Sequence, residues 1–158
     1  MAKSGAQFLG GKELERMFRT IGDRVQRKVG RQAVSAGATP ISKAAQEKAA
    51  EETGALKLAL KGGKKVKAYK NGGVAVAIVG PRTNVQTEYK GKVRKPLKYA
   101  HLVEGGHIDE HGNHIPGKPF LRPAFDENEG KSLDIIKGKF AEGVVREAKK
   151  ALIEGGSK

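Results

Sequence analysis

The sequence predicts a single α+β domain. Its parts are a long N-terminal helical segment, a small antiparallel sheet with a hairpin, and a C-terminal helix packed on the sheet. Three observations predict this. Apolar residues recur at helical spacing at both ends of the chain, and the middle alternates with the period of a strand. A length of 158 residues suits one core and is short for two.

Residues 1–11 read as a flexible N-terminus, and 12–53 as helical. From Lys12 to Ala36, Leu14, Phe18, Ile21, Val25 and Val29 recur at spacings of three and four, one apolar stripe of an amphipathic helix. Gly37 fits a C-terminal cap, and Thr39-Pro40 fits an N-cap followed by proline at the first helical position. A second helix would then run to about Glu52, with Ile41, Ala44, Ala45 and Ala49 inward; a single helix kinked near Pro40 is equally allowed. Thr53-Gly54 stops it in either case.

Residues 54–98 read as a hairpin followed by a long basic loop. "KKVKAY" alternates Val66 and Ala68 with lysines, and "NGG" at Asn71–Gly73 tolerates the positive φ of a tight turn. In "VAVAIVG", Val74, Val76 and Ile78 share one face while Ala75, Ala77 and Val79 share the other. A strand apolar on both faces needs cover on both. In so small a domain a neighbouring subunit is a natural second cover. The stretch from Gly80 to Pro96 has no sustained period and reads as an exposed basic arm.

Residues 99–125 hold connecting motifs and a histidine-rich loop, and 126–154 the last helix. "LKYAHLVEGG" reads as a short helical or extended segment, with His101 as a hydrogen-bonded structural histidine beside apolar residues. In "PFLRPAF", Phe120, Leu121 and Phe125 are expected to anchor in the core, Pro119 and Pro123 to fix the backbone, and Arg122 to pair with a carboxylate such as Glu104. Asp126 and Glu129 stand as a cap and its acid three residues on. Leu133, Ile136, Phe140, Val144, Ala148 and Leu152 form the inner stripe of the helix, which ends at Gly155-Gly156. Gly138 and Gly143 within it cost about 1 kcal/mol each, so packing rather than propensity must hold it.

The formal charge of +14 is concentrated in the middle of the chain. Lys57, Lys61, Lys64, Lys65, Lys67, Lys70, Arg82, Lys90, Lys92, Arg94, Lys95 and Lys98 face a single acid, Glu88, over that span. Such a block suits a nucleic-acid backbone or an acidic protein surface, or else is a solvated face that favours solubility. The residues singled out for polyanion or partner contact are Lys64, Lys65, Lys67, Arg82, Lys90, Lys92, Arg94, Lys95 and Lys98. The absence of cysteine excludes disulfides, thiolate metal sites and a thiol nucleophile. No apolar run approaches the ~20 residues that span a bilayer, and the N-terminus lacks the apolar core of a signal peptide. The chain reads as a soluble protein made in a cytoplasm.

"HIDEHGNH", His107 to His114, contains three of the chain's four histidines and the H-x-x-E-H spacing of a zinc hydrolase. That chemistry needs His107 and His111 on one helical turn, with Glu110 as base and a third ligand such as His114 or Asp109. Glycine pairs on both sides deny the segment a helix. The expectation is a polar loop, with any metal binding incidental. Phosphate-loop and nucleophile-elbow motifs are absent, and few aromatics are available for base stacking. No enzyme activity and no cofactor are expected.

Four strings, "TGAL" at Thr53–Leu56, "VGPR" at Val79–Arg82, "YAHLVEGG" at Tyr99–Gly106 and "PFLRPAF" at Pro119–Phe125, occur in this order and at similar separations in one known family. The chain resembles the head–tail joining (tail-completion or neck) proteins of long-tailed bacteriophages and prophages, over nearly its whole length. It departs from them in the longer insert "HIDEHGNHIPGK" and in "GG" where Gly-Thr or Gly-Ser is usual. The resemblance implies an α+β subunit of a ring, of six copies, between tail tube and capsid connector, in the virion and with DNA passing through. The motif residues it singles out for packing or subunit contact are Gly54, Pro81, Tyr99, His101, Glu104, Phe120, Leu121, Arg122 and Pro123. The alternative is a basic nucleic-acid-binding protein that acts alone.

Overall fold

The computed structural model describes residues 22, 25–49, 54–68, 75–89 and 91–155. The N-terminus, Leu14, Phe18, Ile21, the Asn71–Gly73 turn and Lys90 lie outside the described residues.

A π-helical turn, Val25–Val29, leads into α1, Gly30–Lys48. Pro40 lies inside α1, so one continuous helix forms and Gly37 is interior to it. Proline removes a donor from the helical ladder. Polar groups gather on the turn before it: the Ser35 carbonyl accepts from Thr39 Oγ1 at 3.1 Å and from Lys64 Nζ at 3.0 Å. Lys64 also donates to Thr39 Oγ1 at 2.7 Å.

After α1, Gly54 at φ 65° opens a short helix, α2, Ala55–Leu60. This element was not anticipated, because six residues are too few to display a period. It forms by packing: Ala55, Leu56, Ala59 and Leu60 are all buried. Strands β1, Lys64–Ala68, and β2, Ala75–Val79, then pair antiparallel, with Lys65 opposite Ile78 and Lys67 opposite Val76. The stretch expected to be an irregular arm contains a second hairpin, β3, Thr87–Tyr89, and β4, Lys92–Arg94. Its turn uses Gly91 at φ 71°. Helix α3, Pro96–Gly105, starts with buried Pro96 at its first position. A third ribbon pairs β5, His107–Ile108, with β6, His114–Ile115.

Helices α4, Leu121–Asp126, and α5, Glu129–Gly155, close the chain. Asp126 ends α4 instead of capping α5. Asn128 links the two helices: its carbonyl accepts from the Ser132 N–H at 2.8 Å, and its side chain donates to the Ala124 carbonyl at 3.0 Å.

The largest packing surface is α1 against α5. A Cβ on Gly143 would strike the Val29 side chain, and one on Gly37 would strike Ile136 and the Ser132 carbonyl. Residues 29 and 37 of one helix therefore meet 143 and 132–136 of the other, an antiparallel and close approach. Closeness rotates the buried stripe of α5. Ser132, Gly143, Glu147 and Ala151 are buried, while Leu133, Phe140 and Leu152 of the expected stripe are exposed. A second core joins Ala45 and Ala49 of α1 to Leu56 and Leu60 of α2, Ala100 of α3, and Phe120 and Ala124. Phe125, expected as a core anchor, is 51% exposed.

Candidate functional site

The motif strings meet in pairs, joined through the main chain. Glu104, near the end of α3, accepts from the N–H groups of Phe120 at 2.8 Å and Leu121 at 2.9 Å through Oε2, and of Arg122 at 2.9 Å through Oε1. These are donors at the start of α4 that no helical carbonyl can reach. The expected partnership of Arg122 with Glu104 exists, but through the Arg122 main-chain N–H. Burial alone would raise the Glu104 carboxyl; the three N–H groups outweigh it and hold it below the usual glutamate range. Leu121 and Pro123 are half-buried behind this joint, and Phe120 is fully buried. The Lys118 N–H adds a bond to the Val103 carbonyl at 2.7 Å.

The earlier strings are joined likewise. The Arg82 N–H donates to the Ala59 carbonyl at 3.0 Å at the end of α2, and its guanidinium reaches the Leu58 carbonyl at 3.5 Å. Half-buried Pro81 leads into that contact, and Gly54 supplies the positive φ that starts α2. Tyr99 is half-buried. His101 is exposed, contrary to the buried role expected of it, because α3 turns Ala100 inward and its neighbour outward.

The histidine stretch is a β-hairpin. Asp109 organises its turn: Oδ1 accepts from the His111 N–H at 2.9 Å and the Asn113 N–H at 2.8 Å, and Oδ2 from the Asn113 side chain at 3.0 Å. The Asn113 side chain, followed by its main-chain N–H, holds the Asp109 carboxyl below its ordinary value. Gly106, at φ 78°, and Gly117 cross at the hairpin's base, where a Cβ on either would meet main-chain atoms. His107 lies opposite Ile115 and Ile108 opposite His114, so His107 and His114 take opposite faces. The helical turn that the hydrolase spacing requires does not exist here. Among the described residues no group of three or more His, Asp or Glu is placed to hold a metal ion.

The remaining candidates are surface groups. Ala75, Ala77 and Val79 of β2 are half-buried toward α1, while Val76 and Ile78 are 39% and 50% exposed on the outer face. Lys65 and Lys67, exposed, stand across from them on β1. Lys64, on the inner side, is committed to α1. Arg82, Lys92, Arg94, Lys95 and Lys98 are exposed along the arm and the start of α3. Sequence reasoning missed the Glu104 joint and the exposure of Phe125 and Leu133. An acid ahead of a helix start carrying proline was the available signal for the joint.

An α+β module with apolar and basic docking faces is, by class, an assembly component. A family model described as "Bacteriophage HK97-gp10, putative tail-component" matches residues 12–106. The chain belongs to this HK97-gp10-like family of phage tail components, a structural family of the virion. No curated protein and no solved structure matches it. Among the described residues no helix is long and apolar enough to cross a membrane.

Proposed function

We propose that copies of this chain close into a ring at the head–tail junction or tail end of a long-tailed phage, joining the tail tube to the capsid connector and letting DNA pass. The resemblance to head–tail joining proteins supplies the expectation of six copies. The observation that carries the reading is the outer face of the β1–β2 ribbon. It combines exposed Val76 and Ile78 with Lys65 and Lys67, and α1 covers only the opposite face. An apolar face edged with charge is suited to a partner surface. The basic arm from Arg82 to Lys98 suits a neighbouring subunit, an acidic partner ring or DNA in the channel.

Electron microscopy of the purified protein, alone and with tail-tube protein, tests the reading. Rings are expected in at least one of the two states, and their absence from both overturns it. Duplex DNA contact is expected to be weak and without sequence preference at physiological salt. Tight binding by the isolated protein with a steep salt slope would instead favour a nucleic-acid-binding protein that acts alone.

A further inference from the structure

Beside β2 lies an elongated groove of about 470 Å³. Val34 and Ile41 of α1 line it, with Ala77 and Val79 of β2 and, from α4 and α5, Phe125 and Leu133. Among the described residues β2 pairs only with β1, so one row of its N–H and C=O groups is unpaired. A strand that bears no proline and only apolar residues is an unguarded edge. A small sheet flanked by an apolar gap has the form of a sheet short of one strand.

The chain also contains a ribbon without a cover. Strands β3 and β4 contact each other and make no extensive contact with another described element. Val93 on β4 is 64% exposed. A lone two-stranded ribbon is marginal in water. The charges are complementary: Lys92 is exposed beside Val93, while Glu129 lines the groove and Asp126 is exposed next to Phe125.

We propose that β4 of one copy adds to the free edge of β2 in a second copy, turning Val93 into the groove and bringing Lys92 toward Glu129 and Asp126. Alternation along β4 places Val93 on one face and Lys92 and Arg94 on the other, so Lys92 reaches the acids at the rim rather than the apolar floor. The donor and acceptor surfaces differ, so the contact is head-to-tail, the kind that repeats around a ring. The inference rests on the ring reading and names the contact within it.

The chain has no cysteine, so a designed pair is unambiguous. The test is the Val93→Cys, Ala77→Cys double variant, oxidised and run without reductant, with assembly followed by sedimentation and microscopy alone and with tail-tube protein. A ladder of disulfide-linked multimers supports the proposal. Disulfide confined to monomers places the arm in its own groove and overturns it. Rings without a disulfide overturn it and leave the ring reading standing; no assembly in either condition overturns both. Val93→Asp supplies a second readout: assembly weakens by roughly tenfold or more while the melting temperature of the subunit holds. A variant that assembles normally also overturns the proposal.

Discussion

Glu104 joins two segments that are distant in sequence through three main-chain hydrogen bonds. Replacing it with alanine orphans the N–H groups of Phe120, Leu121 and Arg122 beside the buried Phe120 ring. Charged hydrogen bonds of this kind are worth about 1.5–3 kcal/mol each, with overlap between them, so Glu104→Ala is expected to cost about 2–4 kcal/mol in denaturant unfolding. Glu104→Gln retains one carbonyl acceptor and should cost less. The folded carboxyl is held below its ordinary value, so its contribution is complete above that value, 4.5, and disappears as pH falls through the lower folded value. The stability gap between wild type and Glu104→Gln should therefore shrink in acid; a gap independent of pH would show that charge is not what the joint uses. The sequence placed Glu104 near Arg122 correctly but chose the wrong donor. A side chain's charge is visible in a sequence, whereas an orphan N–H exists only once α4 has formed.

At the scale of elements, the two glycines that meet α5 from opposite circumstances give opposite expectations. Gly138 has nothing within 4 Å of a built Cβ, so Gly138→Ala should gain about 0.5–1 kcal/mol from helix propensity. Gly37 faces Ile136 and the Ser132 carbonyl, so Gly37→Ala should lose about 1–3 kcal/mol despite the same propensity gain. Thermal unfolding of the pair checks both signs together. The same closeness explains the rotated stripe. Periodicity correctly marked α5 as a helix, but the largest apolar residues do not define its buried face. The partner helix presents Ala33 and Gly37, and only small groups fit against it. Helix α2 escaped notice because its pattern lasts six residues, and the β3–β4 ribbon because its sequence is basic rather than alternating apolar.

For the whole molecule, assembly and folding separate cleanly on the outer face of β1–β2. Ile78 is 50% exposed, so Ile78→Asp should change subunit stability by about 0.5 kcal/mol or less. The same change should abolish ring formation, read by sedimentation and microscopy. Acid should weaken the subunit more broadly. Glu104, Asp109, Glu142 and Glu147 are all held below their ordinary values. At Glu147 burial alone would raise the carboxyl, and the Lys28 ammonium at 3.4 Å, with the charges of Lys150 and Arg146, outweighs it. Every one of these contributions is present above the unfolded value and lost below it, so stability must fall with acidification. A melting temperature that held steady from about pH 6 to pH 3 would contradict that sign.

By itself the sequence determined the α+β class, the helical ends, the β1–β2 hairpin, and the family through strings spread along the chain. Each of those depends on local period or on residue order, which a linear chain displays directly. Tertiary structure alone decided that α1 runs through Pro40, that α5 buries its small residues, and that Glu104 caps α4. It also made "HIDEHGNH" a hairpin with its outer histidines on opposite faces. These outcomes depend on which surfaces meet and on how closely they approach, and that distance is set by the partner element rather than by the segment's own residues.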